Sequence, residues 1–272
     1  MKKLIKKILI IRRLLDFMNA TRYFNKKYFQ ILKWTFSSRE DTNFTYDLTD
    51  KNNLELLKII ESCVEVPFEK LQKYLNEILN DDQLKIYLKK KTEESEFKSF
   101  ADRNISFSRR VGWYVIVRSI KPKIIMETGV DKGLGAVVLC SAILKNKEEG
   151  FPGKYYGTDI NDQAGYLLDD KYKSVGKIIY GDSIISLKNF EKTIDVFIND
   201  SDHSGNYEYQ EYLTIKNKLS TKAIILGDNS HATDKLLKFS IENERNFILF
   251  REEPKDHWYP GAGIGISFPN KK

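Results

Sequence analysis

Short apolar runs alternate with amphipathic stretches over the second half of the chain. The runs have the length and composition of strands, and they cover residues 123–128, 155–160, 177–181, 195–199, 223–227, 247–251 and 263–268. Stretches with helical spacing, such as 135–144 and 207–219, lie between several runs, so we predict right-handed βαβ units and a mostly parallel sheet. Residues 252–262 show no helical pattern, which predicts that the last two strands form an antiparallel hairpin.

The same pattern divides the chain into three parts. Residues 1–40 form a basic amphipathic arm, residues 41–106 a helical N-terminal region, and residues 107–272 an α/β domain. Apolar residues of the helical region recur at helical spacing, and Asp50 is placed to cap its first helix. Residues 85–100 are rich in charge, which favours a solvated linker or a flexible cover.

The charge of the chain is concentrated in the arm. The formal net charge is +7, but residues 1–40 contain eleven basic and two acidic residues and therefore carry +9. The other 232 residues contain 34 basic and 36 acidic residues and carry −2. Because nucleic-acid binding needs a basic face on the domain itself, we expect no nucleic-acid partner.

The start of the arm has the pattern of an amphipathic helix. Its apolar stripe consists of Leu4, Ile8, Ile11, Leu15 and Met18. The uncharged run is far too short to span a bilayer, and no small-residue cleavage site follows it. Residues 2–18 therefore predict either peripheral contact with an anionic membrane surface or a helix that packs on its own domain or on a second subunit, which would make the protein a homo-oligomer.

The two cysteines argue for a reducing compartment. Cys63 and Cys140 are far apart and form no CxxC pair, and Cys140 lies inside an apolar run typical of a buried thiol. We therefore expect a cytoplasmic protein, peripheral at the inner face of the membrane if the arm binds there.

A glycine-rich loop follows the first predicted strand. Glu127, Gly129, Gly133 and Gly135 form the pattern E-x-G-x-x-x-G-x-G. Glycines let a backbone approach a ligand closely, but the spacing differs from the G-x-G-x-x-G loop of dinucleotide-binding folds. The pattern resembles motif I of the class I methyltransferases, which bind S-adenosylmethionine (SAM). The resemblance implies that the acidic strand end receives the ammonium group of SAM.

Two further strand ends carry acids. Asp159 ends the second strand, where a carboxylate can accept hydrogen bonds from ribose hydroxyls. Asp182 follows the third strand at a position that meets the adenine in class I methyltransferases. An N-cap for the next helix is an equally good interpretation of Asp182.

The fourth and fifth strand ends are the most informative feature of the sequence. Asp200, Asp202 and His203 follow the fourth strand, and Asp228 and Asn229 follow the fifth. Adjacent strand ends converge at one edge of a sheet, and Mg²⁺ prefers carboxylate and amide oxygens. Asp200, Asp228 and Asn229 are therefore candidate metal ligands.

This arrangement resembles the metal-dependent O-methyltransferases of the catechol, caffeoyl-coenzyme A and macrocin types. The resemblance covers about 150 residues, is specific in the D-x-D and D-N motifs, and implies a seven-stranded Rossmann-like sheet with an antiparallel last strand. Those enzymes place a Lys or an Asp in the segment after strand four as the general base. The corresponding residues here are His203 and Asp202, of which His203 suits proton transfer near neutral pH. His231 and His257 also follow strand ends, where polar loops commonly collect histidine.

The sequence thus predicts a SAM-dependent O-methyltransferase, assisted by Mg²⁺, whose acceptor is a hydroxyl of a small molecule or sugar. A sugar in a membrane-linked glycan precursor would account for the basic arm. A metal-independent SAM methyltransferase with another acceptor, a Rossmann-type nucleotide-sugar or NAD enzyme, and a non-catalytic scaffold are the alternatives. No N-P-P-Y-type motif occurs.

Overall fold

Seven strands form a single sheet in the computed structural model, which describes residues 9–38, 46–99 and 104–270. The strands are β1 Ile124–Thr128, β2 Lys154–Asp159, β3 Gly176–Tyr180, β4 Ile194–Asn199, β5 Leu219–Gly227, β6 Arg245–Arg251 and β7 Gly263–Pro269. Their order across the sheet is β3-β2-β1-β4-β5-β7-β6. Strands β1 to β5 pair in parallel, whereas β7 runs antiparallel to both β5 and β6. The predicted seven-stranded class I methyltransferase sheet and its terminal hairpin are confirmed.

Helices precede the sheet and cover both of its faces. They are α1 Leu9–Ser37, α2 Asp50–Cys63, α3 Phe68–Leu79, α4 Asp82–Glu94, α5 Arg110–Ile120, α6 Leu134–Glu148, α7 Asp170–Lys173, α8 Ser183–Asn189, α9 Gly205–Ile215 and α10 Lys235–Glu242. Short 3₁₀ helices occupy Glu96–Ser99, Lys216–Lys218 and Asp228–His231.

Alternate residues of the central strands belong to two separate cores. Ile125 and Val196 pack with the layer that contains α2 to α6, whereas Met126 and Phe197 pack with the layer that contains α8 to α10. Successive side chains of a strand point to opposite faces, so an apolar run buried on both sides builds two cores at once. Cys140 of α6 is fully buried in the first layer, as the sequence predicts.

Two details of the helical region differ from the sequence prediction. Thr49, not Asp50, caps α2, because its hydroxyl oxygen accepts a hydrogen bond from the Asn52 backbone N–H at 3.2 Å. Residues 85–100 are not a linker where the structure describes them. Residues 85–94 belong to α4, which Leu84 and Leu88 anchor in the core one turn apart while its many charged residues face outwards, and residues 96–99 form a 3₁₀ helix.

The segment before α2 is joined to the loop between β6 and β7. Leu48 forms a β-bridge with Pro254, the Thr49 N–H donates to the Glu253 carbonyl at 3.0 Å, and the Lys255 N–H donates to the Asp47 carbonyl at 2.7 Å. The helical region therefore shares the core and the backbone hydrogen bonds of the sheet domain. The boundaries at residues 40 and 106 remain a prediction.

The arm is helical from Leu9, and its first eight residues, including Leu4 and Ile8, lie outside the described part of the chain. Helix α1 has 29 residues, none of them buried. No helix among the described residues is long and apolar enough to cross a membrane.

Candidate active site

A cavity of about 840 Å³ opens at the carboxyl ends of β1 to β4. The predicted residues that line it are Glu127, Gly129, Gly135, Asp159, Asp182, Asp200, Asp202 and His203. Gly133, Asp228 and Asn229 do not line it. Leu88 and Thr92 of α4 also contribute to its wall, so the charged stretch expected to be a cover does lie over the cavity, as an ordered helix.

The loop between β1 and α6 needs glycine at two positions. Gly129 has a φ of 81°, and a Cβ atom there would lie 1.9 Å from the carbonyl oxygen of Asp200. Gly133 has a φ of 94° and precedes the first residue of α6. Gly129 therefore lets the ends of β1 and β4 come together, whereas Gly133 shapes the turn into the helix without facing the cavity.

Asp159 holds this glycine loop. Its Oδ2 accepts hydrogen bonds from the backbone N–H groups of Val130 and Asp131, both at 2.9 Å, and its Oδ1 accepts one from Asn161 at 2.9 Å. The carboxylate is half-buried and borders the cavity. It is thus positioned both to order the loop and to present oxygen atoms to a ligand.

Glu127 is a buried acid at the wall of the cavity. It is 2% exposed and accepts a hydrogen bond from the Tyr155 hydroxyl. Burial raises the pKa of Glu127 to about 7, although the bond from Tyr155 and the charge of Arg110 act in the opposite direction. A bound cationic group would favour the ionised form, because an opposite charge nearby stabilises a carboxylate.

Asp182 is an N-cap, as one of its two interpretations predicts. Its Oδ1 accepts from the Ile185 N–H at 2.8 Å, and its Oδ2 accepts from the Tyr207 hydroxyl at 3.0 Å. The residue also borders the cavity, so its contact with an adenine stays a prediction.

Glu211 of α9 organises the strand ends, and the sequence analysis missed it. The side chain is fully buried and accepts hydrogen bonds from Thr128 at 3.2 Å, Ser201 at 2.8 Å, and also Ser183 and Asn199. Burial raises its pKa to about 7, against the effect of these donors. One carboxyl group thus connects the ends of β1, β3 and β4 beneath the cavity.

Arg109 was also missed, and it lies among the predicted metal ligands. Its guanidinium Nε contacts Asp228 Oδ1, its Nη2 lies 3.9 Å from Asp200 Oδ2, and its Nη1 lies 3.7 Å from Glu252 Oε1. The side chain is 2% exposed. Tyr46 completes the cluster by donating from its hydroxyl to Glu252 Oε2 at 2.6 Å. Charges are tolerated in a protein interior when they are paired, and the three carboxyl groups pair this buried cation.

These contacts decide how well Mg²⁺ fits the predicted ligands. Both carboxylates are already paired with the Arg109 guanidinium, and the Asn229 amide donates to the His203 carbonyl at 2.9 Å. Within the described residues, no group of three or more His, Cys, Asp or Glu side chains could hold a metal ion. The Arg109 guanidinium therefore occupies the position beside Asp200 and Asp228 that a cation would take, and the Asn229 Nδ2 group fixes the loop that carries His203.

Arg110, the neighbour of Arg109, faces the cavity itself. It is 8% exposed, lies over the Trp113 ring at 5.5 Å, and donates to the Ser108 hydroxyl at 3.3 Å. Burial lowers its pKa, and the charge of Arg109 lowers it further. Two arginines at the start of an apolar helix oppose the helix dipole, and this conflict is the signal in the sequence that points to buried acids nearby.

The two candidate bases differ in their surroundings. His203 is exposed and borders the cavity. Asp202 Oδ1 accepts from the Ser204 N–H at 2.6 Å, and this hydrogen bond lowers its pKa. His231 lies 3.2 Å from the carbonyl of Asp228 in its own turn, and His257 packs on Tyr46, away from the cavity.

The comparisons with known proteins agree with this geometry. Residues 126–230 match the model of a family described as a methyltransferase domain. No curated protein sequence matches the chain.

Several solved structures share the fold at low sequence identity. The SAH-bound methyltransferase PaMTH1 of Podospora anserina is 18% identical, with a TM-score of 0.50 over 74% of this chain and 95% of that chain. An O-methyltransferase of Bacillus cereus in complex with SAH is 12% identical, with a TM-score of 0.51 over 78% and 100%. TomG of Streptomyces achromogenes, an O-methyltransferase in complex with SAM, is 11% identical, with a TM-score of 0.50 over 73% and 95%.

The matched segment runs from β1 to the turn after β5, which is the part of the sheet whose strand ends form the cavity. The resemblance of the glycine loop to motif I is therefore consistent with the family match and with the strand order. Residues 126–230 thus match a methyltransferase-domain family, and the strand order is that of the class I methyltransferase fold.

Proposed function

We propose that this protein transfers a methyl group from SAM to a hydroxyl oxygen of a small molecule or sugar. One observation carries the proposal. The acids predicted to bind SAM and the candidate base His203 line the same cavity, at the ends of adjacent strands. When bound, SAM supplies an electrophilic methyl group. The protein must then orient the acceptor and remove its proton.

Glu127 and Asp159 account for binding of the cofactor. Glu127 lies deep at the end of β1, where its ionised form attracts an ammonium group. Asp159 lies at the end of β2, where its oxygens reach the cavity beside Ile160 and Asn161. The ordered glycine loop between these acids gives the cofactor a preformed site, which reduces the entropic cost of binding.

His203 is the better candidate for the general base. Neutral imidazole accepts a proton near neutral pH, and the backbone of His203 is held by Asn229. In the proposed reaction the acceptor oxygen forms a bond to the methyl carbon, the carbon–sulfur bond breaks with its electron pair on sulfur, and the hydroxyl proton passes to His203. Asp202 is less suited because its carboxylate already caps the turn before α9.

Assistance by Mg²⁺, which the family resemblance implies, is the weaker part of the sequence prediction. The positive charge beside Asp200 and Asp228 belongs to Arg109. We therefore propose that transfer proceeds without a metal ion, with Arg109 as the fixed counter-charge and Arg110 presenting a second cation to the cavity. Among the alternatives drawn from the sequence, the metal-independent methyltransferase is the one that these contacts favour.

Calorimetry with S-adenosylhomocysteine tests cofactor binding. We expect saturable binding that Asp159→Ala abolishes and that Asp162→Ala retains, since Asp162 is an exposed acid in the next turn. A melting curve for each variant shows whether it folds. A folded wild-type protein with no affinity for the ligand would refute the proposed function.

Transfer of labelled methyl groups from SAM to a panel of hydroxylated compounds and sugars tests the reaction. His203→Ala should lower kcat by about 10²–10⁴-fold with little change in SAM affinity. His231→Ala is the matched control, because that side chain does not line the cavity. Equal activity of both variants would assign the base to another residue.

A further inference from the structure

Helix α1 contacts the methyltransferase domain through one narrow side. Lys27 Nζ donates to the His257 carbonyl at 3.3 Å, and the Trp34 ring lies 5.2 Å from that of Trp258. Gln30, which lies between Lys27 and Trp34 in the sequence, is half-buried. Residues 27, 30 and 34 are spaced by three and four, so they lie on one face of the helix.

The opposite side of α1 is apolar and uncovered. At about 100° per residue, the side chains of this side fall roughly 140° away from the side that meets the domain. We call it the outer face, formed by Leu14, Phe17, Phe24, Tyr28 and Leu32. These five side chains are between 55% and 72% exposed. A contiguous apolar surface of this kind marks a site of interaction.

The charge of the helix selects the partner. Helix α1 contains six basic residues and a single acid, Asp16. Arg13 borders the outer face on one side, and Arg22 and Lys33 border it on the other. Long basic side chains at the edge of an apolar face can extend their charges towards acidic headgroups while the apolar groups enter the membrane surface.

A second copy of the chain is a poorer partner for this face. Two copies would bring the same basic borders together without acids to neutralise them, and like charges across an interface oppose association. The described helices contain no membrane-spanning segment, so contact with lipid would be peripheral.

We propose that the outer face of α1 docks the protein on an anionic lipid surface. The docked helix would hold the domain at the membrane through Lys27 and Trp34. Surface attachment brings the cavity within reach of acceptors carried on lipids, the class to which a membrane-linked glycan precursor belongs. Docking itself is independent of the proposed reaction, whereas the reach towards acceptors carried on lipids rests on it.

Co-sedimentation of the full chain with vesicles tests the proposal. We expect about tenfold or stronger binding to vesicles that contain phosphatidylglycerol than to pure phosphatidylcholine, and weaker binding as salt is raised. Equal binding to both kinds of vesicle, or none, would overturn it.

Paired variants locate the contact. Phe17→Gln, Phe24→Gln and Leu32→Gln together should lower binding to the anionic vesicles at least about tenfold, since they remove apolar surface while glutamine keeps helix propensity. Leu9→Gln with Tyr23→Gln is the matched control, because these residues are equally exposed, at 63% and 61%, but lie on the other side of the helix. Equal loss in both sets would refute the assignment to the outer face. Light scattering that shows a dimer abolished by the first set would replace the lipid surface with a second copy.

Discussion

Arg109 and Asp228 are in direct contact in the interior, Nε against Oδ1, at the strand end where the sequence predicts a metal ligand. The other two contacts of the guanidinium, with Asp200 and Glu252, make it the shared counter-ion of three carboxyl groups. Burial, followed by repulsion from Asp228, raises the pKa of Asp200 well above its ordinary value, and Arg109 opposes this shift. Arg109 thus contacts all three carboxyl groups of the cluster.

Removal of that cation should destabilise the fold. Arg109→Met leaves buried carboxylates without their partner, and we expect a loss of about 3–5 kcal/mol in the free energy of unfolding, measured by urea denaturation. Lys58→Met, which breaks the surface pair with Glu61, should cost less than about 1 kcal/mol. Adding Asp228→Asn to Arg109→Met should recover part of the loss. Unchanged stability of Arg109→Met would show that the cluster does not need this charge.

The same cluster predicts an unusual response to magnesium. The melting temperature of the wild-type protein should not change with Mg²⁺, and EDTA should not lower methyl transfer. In Arg109→Ala, the carboxylates of Asp200 and Asp228 become available to a hard cation, so Mg²⁺ should raise the melting temperature, by linkage between binding and folding. Stabilisation of the wild type by Mg²⁺, or loss of its activity in EDTA, would restore the magnesium hypothesis.

The affinity for S-adenosylhomocysteine should rise with pH through the titration of Glu127. Burial raises the pKa of Glu127 from 4.5 to about 7, so near pH 6 the side chain is mostly protonated and attracts an ammonium group poorly. We expect about tenfold tighter binding at pH 8 than at pH 6. Calorimetry at several pH values measures this trend. Glu127→Gln should bind weakly and lose the pH dependence in this range, and a variant with the wild-type slope would show that another group titrates.

The stability of the ligand-free protein should change in the opposite direction with pH. The folded state holds a proton on Glu127 that the unfolded chain releases above pH 4.5, so this contribution is present at low pH and is lost as the pH rises through about 7. Burial also raises the pKa of Glu211 to about 7, so its contribution to stability is lost over the same pH range. The free energy of unfolding from urea denaturation should therefore fall between pH 5 and 8 for the wild type, by on the order of one to a few kcal/mol, and fall less for Glu127→Gln.

The close approach at Gly129 makes a steric prediction with an internal control. Gly129 and Gly150 have similar φ values, 81° and 89°, but a Cβ atom at Gly150 would meet nothing within 4 Å. Gly150→Ala should cost about 1 kcal/mol for the backbone conformation alone. Gly129→Ala should cost several times more, because its Cβ would overlap the Asp200 carbonyl. Similar melting temperatures for the two variants would contradict the close approach.

The sheet could be predicted from the sequence because each strand is a local apolar run. The fourth and sixth strands, for example, begin within two residues of their predicted starts at 195 and 247. Residues 85–100 were harder to predict. Their many charges resemble those of a solvated segment, and the two fully buried residues of α4, Leu84 and Leu88, lie one turn apart and give a weak periodic signal.

The residues of the candidate site also divide into those that the local sequence predicts and those that it does not. Residues that follow strands, such as Asp159 and His203, could be placed at the cavity because the ends of parallel strands meet at one edge. The roles of Arg109 and Glu211 could not be predicted in this way, because they depend on partners from other helices and strands. Neither residue has a distinctive neighbourhood in sequence apart from the arginine pair itself. The buried charges therefore required the three-dimensional arrangement.

The joint between the segment before α2 and the loop after β6 has a consequence for how the chain folds during synthesis. Tyr46 and Glu252 are separated by 206 positions, yet their hydrogen bond closes the charged cluster. A growing chain makes Tyr46, Leu48 and Thr49 early, but their partners leave the ribosome only after six of the seven strands exist. The charged cluster is therefore completed only when translation is nearly finished, whereas the first helices can already pack on α5.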